Sequence, residues 1–223
     1  MDDGLRPLPE LPCNPGGDSV LVLGIGNLLW ADEGFGVRCV EALRAGWDFG
    51  PEVELVDGGT QGLYLLPLVQ QATHLLILDA VDYGMAPGTL KVVDDDEVPR
   101  FLGAKKMSLH QTGFQEVLML AQMTDSYPRH VRLIGCQPEV LEDYGGSLRP
   151  CVKAALDAAL PMAIDCLRAW GAAPQPRSGA RGEADGVNAP SLSLAAYEAG
   201  RPSEQDACRI GDPRFLVGTP SPG

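Results

Sequence analysis

The sequence predicts an α/β fold, a three-layer sandwich in which a twisted, mostly parallel sheet of about five strands is flanked by helices on both faces. Two observations support this prediction. Short apolar runs such as DSVLVLGIG and THLLILDAVDYG lack the polar alternation of a half-exposed strand, which is typical of strands buried on both faces. Loops and helical segments separate these runs, as in chains of parallel strands.

The first strand is predicted over about Ser19 to Gly24. A helix from about Glu33 to Ala45 follows, and Asp32 is well placed to be its N-cap. The apolar residues of this helix repeat along one face: Val37, Val40 and Leu43.

The second strand, in EVELVDGGT, ends with Asp57, Gly58 and Gly59. The next segment, LYLLPLVQQA, is predicted to be a short apolar helix despite Pro67. The third strand, in THLLILDAVDYG, ends at Asp79.

The fourth strand, GTLKVVDDD, carries Lys91 and terminal acids that indicate an edge position. Thr112 and Gln115 have the spacing of a capping box, which places His110 in the loop just before the next helix. HVRLIGCQPE supplies the fifth strand, and a long helix with Pro in its first turn is predicted from Pro150 to Trp170.

These elements predict a single domain over residues 19–171, preceded by a loose arm at 1–18. Residues 172–223 are rich in Pro, Gly, Ser and Ala and are predicted to be a largely disordered tail. Within this tail, SLSLAAYEA could form a transient helix, and the alternative to disorder is a docking arm for a partner protein.

Composition excludes several classes of function. The 223 residues include 17 Lys and Arg against 30 Asp and Glu, and the net charge of −13 argues against nucleic-acid binding. No apolar run is long enough to cross a membrane, and no export signal is visible. The six cysteines form no C-x-x-C pair, so we expect free thiols in a reducing cytoplasm.

Glu33, Asp57, Asp79 and His110 all map to the carboxyl edge of the predicted sheet, where open α/β folds bind ligands. Each alone has a structural explanation: Glu33 suits the dipole of a helix start, Asp79 could bond loop amides, and isolated loop histidines are often inert. Together, one imidazole and two carboxylates form a mixed site suited to nickel, zinc or a similar ion, with coordination positions left open.

GIGNLLWADEGFGVR, which begins at Gly24, superficially suggests the phosphate-binding turn of a nucleotide-binding domain. Leu29 occupies the position of the third glycine, and two acids stand where a phosphate would approach. A dinucleotide-binding module is therefore a disfavoured alternative.

Five stretches resemble the nickel–iron hydrogenase maturation endopeptidases, in the order in which that family has them, over about Val20 to Trp170. They are LVLGIGNLLWADEGFGVRCVEAL, VELVDGGTQGLYLL, LLILDAVDYGMAPGTL, SLHQTGFQEVL and RLIGCQPE. The resemblance implies that nickel is bound by Glu33, Asp79 and His110, and that the loop Asp57, Gly58, Gly59 and Thr60 positions the substrate.

The resemblance further implies an endopeptidase that removes a C-terminal extension from the precursor of the hydrogenase large subunit. The nickel would belong mainly to that precursor and would mark it as ready for cleavage. Whether Asp79 or Glu33 also acts as general base stays open. The alternatives are a nickel-binding maturation chaperone and a metal-independent carboxyl protease in which Glu33 and Asp79 share a proton.

Overall fold

A computed structural model describes residues 17–99, 109–177 and 193–200, without the side chains of residues 109–112. The predicted N-terminal arm and most of the predicted tail lie outside these ranges. No helix in the described part of the chain combines the length and the apolar character needed to cross a bilayer.

A five-stranded sheet forms the centre of the fold, in the order β3, β1, β4, β6, β5. Its strands are β1 (Val20–Ile25), β3 (Val53–Gly59), β4 (His74–Ala80), β5 (Leu90–Asp94) and β6 (His130–Cys136). The first four in spatial order are parallel, whereas β5 is antiparallel to β6 and lies at an edge. The predicted mostly parallel sheet and the edge position of the fourth predicted strand are confirmed.

Helices cover both faces of this sheet, and alternate residues of the buried strands point to the two layers. On one face, Val20 and Val22 belong to a core that also contains residues of α1 (Phe35–Gly46) and α4 (Pro150–Ala169). On the other face, Leu21 and Leu23 pack with residues of α2 (Leu66–Gln71) and α3 (Leu109–Met123). The three-layer sandwich is therefore confirmed.

Two helix starts differ from the prediction. A 3-10 helix, Ala31–Gly34, precedes α1, and Asp32 is not the N-cap of α1, because its side chain bonds to a distant loop instead. The helix α3 begins at Leu109, so His110 lies in its first turn and not in the preceding loop. Thr112 lies inside the helix and is not its N-cap, because the regular backbone begins three residues earlier.

Two short segments follow α4 within the predicted tail. Strand β7 (Gln175–Pro176) pairs with β2 (Trp47–Asp48) in a two-stranded antiparallel sheet. The helix α5 (Leu194–Gly200) forms within SLSLAAYEA. The domain boundaries themselves stay a prediction.

Candidate active site at the carboxyl edge of the sheet

The glycines after β1 bring the 3-10 helix that carries Glu33 against the ends of the central strands. A Cβ on Gly26, whose φ is +134°, would lie 1.8 Å from the carbonyl oxygen of Glu33. A Cβ on Gly36 would lie 2.0 Å from the carbonyl oxygen of Leu78. Only glycine permits these approaches, so the glycine-rich stretch packs a helix on strand ends.

Hydrogen bonds within the protein engage amides of this turn, which disfavours a phosphate cradle. The N–H of Gly26 donates to the carbonyl of Gly59 at 3.1 Å, and the N–H groups of Leu29 and Trp30 donate to Asn27 at 3.0 Å and 3.1 Å. A dinucleotide-binding turn instead presents its amide hydrogens to phosphates.

Glu33 is half-buried at the edge of the sheet. Its backbone N–H donates to the carbonyl of Trp30 at 2.9 Å. Burial raises the pKa of the Glu33 carboxyl from 4.5 to about 7, because desolvation disfavours the charged form. A nearby cation would favour the carboxylate and displace the proton.

Asp79 is buried near the end of β4, where it pairs with Gly135 of β6 and is 2 % exposed. The absence of a side chain at Gly135 makes room for Tyr83, since a Cβ there would lie 1.6 Å from the tyrosine hydroxyl. Burial and the charge of Asp79 both raise the pKa of Tyr83. The loop that carries Tyr83 therefore lies against the end of β4 that carries Asp79.

Gln137, which directly follows β6, holds that loop in place. Its side-chain carbonyl accepts hydrogen bonds from the backbone N–H groups of Tyr83 at 2.7 Å and Met85 at 3.1 Å. Its amide donates to Asp82 at 3.0 Å and to the carbonyl of Pro138 at 3.2 Å. The side-chain amide of Gln137 therefore fixes the loop that follows Asp79.

The predicted loop of Asp57, Gly58, Gly59 and Thr60 begins inside a strand, because Asp57, Gly58 and Gly59 are the last three residues of β3 and only Thr60 follows it. The register of β1 with β3 shifts at this point, and Gly58 is the additional residue. Gly59, at φ +45°, accepts a hydrogen bond from the N–H of Gly26 at 3.1 Å. Because Gly26 also touches Glu33, this loop and the 3-10 helix are neighbours, as the prediction of a shared edge requires.

The helix α3 brings the backbone of His110 to this edge. A Cβ on Gly113 would lie 3.6 Å from the Cα of Gly62, which follows the glycine loop. The side chain of His110 lies outside the described residues. Its predicted meeting with Glu33 and Asp79 therefore stays a prediction.

Within the part of the chain whose side chains the structure describes, no group of three or more His, Cys, Asp or Glu residues could hold a metal ion. Only two members of the predicted triad, Glu33 and Asp79, fall within that part. The four described cysteines are free thiols: Cys39, Cys136, Cys151 and Cys166.

Exposed apolar side chains follow each of the four parallel strands along the chain. Five lie in the segments after these strands, and we call this set the apolar rim: Leu29, Leu63, Tyr64, Met85 and Tyr144. Tyr144 is 63 % exposed and packs edge-on against Trp30, with ring centroids 5.4 Å apart.

Sequence reasoning missed three residues that shape the edge: Asp32, Tyr83 and Gln137. The sequence predicts Asp32 as a helix cap, because no local pattern in ADEG indicates that its carboxyl bonds to distant backbone amides. Gln137 stands directly after an apolar strand in IGCQPE, the position at which ligand-edge residues occur.

Comparison with known proteins agrees with this geometry. The family model for hydrogenase maturation proteases matches residues 37–166. The chain is 62 % identical to the hydrogenase expression/formation protein HoxM of Cupriavidus necator, over 88 % of this chain and 98 % of that protein. It is 42 % identical to the hydrogenase 2 maturation protease of Escherichia coli, over 71 % of this chain and 96 % of that protein.

A solved structure shares the fold. The hydrogenase maturating endopeptidase HybD from E. coli superposes with a TM-score of 0.68 at 40 % identity. The match covers 71 % of this chain and 98 % of HybD.

Proposed function

Because the chain belongs to the hydrogenase maturation protease family, a family of endopeptidases, we propose that it removes a C-terminal extension from a nickel-loaded hydrogenase large-subunit precursor. The nickel arrives with the precursor and is part of the substrate. The observation that supports this proposal is that the segment with Glu33, the end of β4 with Asp79 and the start of α3 all lie at the carboxyl edge of the sheet.

In the proposed reaction, Glu33, Asp79 and His110 complete the coordination of the precursor's nickel. A bound divalent ion can polarise a carbonyl or lower the pKa of an attacking water. Coordination also holds the scissile peptide in place, which supplies orientation as well as recognition. A precursor without nickel would lack the group that these three side chains bind, so it would not be cut.

The apolar rim supports a polypeptide substrate. A small-molecule site is usually a concave pocket, whereas the rim spreads over loops from four strands. The rim adjoins Glu33 through Trp30, which contacts Tyr144. Trp30 and the Asp57 to Thr60 loop are our candidates for contacts to the precursor chain on either side of its nickel.

Two further features belong to the proposal. A reducing cytoplasm suits a protein whose described cysteines are free thiols. Accessory maturation chaperones are candidate partners of the tail, because the family match ends at residue 166 and leaves the tail outside it.

The test is mass spectrometry of candidate large-subunit precursors, incubated with and without this protein and with and without nickel. We expect loss of the C-terminal extension only when both are present. His110→Ala should abolish cleavage of the loaded precursor, whereas Glu116→Gln, an exposed change on the same helix, should not. Binding without cleavage would instead identify a nickel chaperone, and undiminished cleavage by His110→Ala would remove the three-ligand arrangement.

The alternative mechanism is that of a metal-independent carboxyl protease, in which Glu33 and Asp79 share a proton and activate water. Cleavage that persists after strict removal of nickel from precursor and protein would establish that mechanism.

A further inference from the structure

Asp32 occupies a different environment from its neighbour Glu33. Its side chain is fully buried, at 0 % exposure. One carboxyl oxygen accepts hydrogen bonds from the backbone N–H groups of Glu139 and Val140, both at 2.8 Å. The other oxygen accepts from the N–H of Arg149 at 2.7 Å. These three short hydrogen bonds from backbone amides hold the carboxyl in one position. We call this set of bonds the joint.

The joint links two distant parts of the chain. One part is the segment at 29–34, which carries Glu33, and the other is the loop at 137–149 after β6. The backbone N–H of Asp32 also donates to Val140 at 3.2 Å, and the N–H of Gly145 donates to the carbonyl of Leu29 at 2.7 Å. The two parts therefore form one unit on the rim of the site.

The backbone immediately before Asp32 is strained. Ala31 has a φ of +34°, in the left-handed region that residues other than glycine rarely adopt. Such a conformation persists only where surrounding contacts hold it, and such residues concentrate at functional sites. The bonds of Asp32 are the contacts that hold this turn, and Glu33 is the second residue after the strained one.

We propose that Asp32 is a positioning residue that fixes Glu33 and the 137–149 loop in the arrangement needed to receive the precursor's nickel. This inference rests on the proposed function and deepens it. Asp32 lies beneath the surface and does not itself touch the metal. Its role is to convert a strained turn and a long loop into one preformed site, so that Glu33 needs no rearrangement when the precursor docks.

The arrangement requires an acid of this size. Both oxygens of Asp32 face N–H donors, so the amide of Asn, whichever way it is turned, directs an NH2 group at a donor. Glu would add a methylene where no space is open. Asp32→Asn is therefore the test variant, because it keeps the shape and breaks the joint.

Thr73→Val is the matched control. The Thr73 hydroxyl accepts from the N–H of Ser19 and donates to its carbonyl, each at 2.9 Å, at the opposite edge of the sheet. The control also loses side-chain hydrogen bonds to backbone, yet it leaves the carboxyl edge intact. Both variants are compared with the wild type at a temperature at which each is folded.

The first measurement uses the nickel-loaded precursor. Asp32→Asn should lower kcat/KM by about 10-fold to 100-fold, with a raised KM, because a misplaced Glu33 weakens capture of the nickel. A merely structural role would reduce only the folded fraction, which lowers kcat and leaves KM unchanged. Thr73→Val should keep the wild-type KM.

The second measurement is amide hydrogen exchange of the free protein, which needs no cleavage. In Asp32→Asn, exchange should accelerate together at residues 30–34 and at 139–149, and in Thr73→Val at neither. An unchanged KM, or acceleration confined to one segment, would overturn the inference. If the wild type cuts no precursor, the proposed function fails, and the exchange pattern still decides whether Asp32 joins the two parts.

Discussion

Replacing Glu33 by Gln should stabilise the folded protein while it abolishes cleavage. Burial raises the pKa of the Glu33 carboxyl from 4.5 to about 7, so the fold favours its protonated form. As the pH rises above 4.5, the unfolded chain loses this proton first. Stability therefore declines between about pH 4.5 and pH 7, and the full cost is present above pH 7.

The size of the effect follows from the same shift. A difference between 4.5 and about 7 corresponds to about 3 kcal/mol, at about 1.4 kcal/mol for each pH unit. Because the side chain is only half-buried, solvent screening reduces this to about 1–2 kcal/mol. Gln cannot ionise, so the variant escapes the cost.

The assay is denaturant unfolding of the wild type and Glu33→Gln at pH 4 and pH 8. We expect the variant to have the larger free energy of unfolding at pH 8 by about 1–2 kcal/mol, and a difference near zero at pH 4. Glu116→Gln, at an exposed position of α3, should change neither value by more than about 0.5 kcal/mol. A variant that is equally stable or less stable at pH 8, or a gain that is the same at both pH values, would refute the reasoning.

Three further predictions concern the contacts around the site. Gly26→Ala should lower the free energy of unfolding by more than about 3 kcal/mol in denaturant titrations, because its Cβ would meet the carbonyl of Glu33 and its φ is positive. At Gly46 a Cβ would meet no atom within 4 Å, so Gly46→Ala should not lower the free energy of unfolding, and equal losses in the two variants would contradict this account. Gln137→Leu should lower the free energy of unfolding by about 2–3 kcal/mol in thermal unfolding, since the N–H groups of Tyr83 and Met85 lose their acceptor. An unchanged stability would show that these N–H groups find another acceptor. Glu198→Ala removes the bonds of the Glu198 carboxylate to Ser147 and Lys153. It should change the free energy of unfolding by less than about 1 kcal/mol and speed proteolysis of the tail, and an unaltered digestion rate would argue that these bonds do not anchor the tail.

The sheet could be predicted from the sequence because its signal is local. VLVLGI and HLLILDA are apolar at every position, and β1 and β4 are buried along their whole lengths. Lys91 and the acids after it indicated the edge correctly, since β5 lies there. A strand that is buried on both faces is apolar at nearly every position, so its sequence alone identifies it.

The errors arose where a side chain serves a distant partner. Asp32 satisfies every local criterion for a helix cap, yet its bonds run to residues more than 100 positions away. Local patterns cannot report such tertiary hydrogen bonds. The capping-box spacing of Thr112 and Gln115 failed for another reason, since the helix already begins at Leu109.

The central claim is that Glu33, Asp79 and His110 bind one nickel ion carried by the precursor. X-ray absorption at the nickel edge tests it most directly, on the loaded precursor alone and on its complex with this protein frozen before cleavage. The claim predicts added carboxylate oxygen and imidazole nitrogen scattering in the complex, with the imidazole signal lost in His110→Ala. An identical nickel coordination shell in the loaded precursor alone and in the complex would contradict the claim.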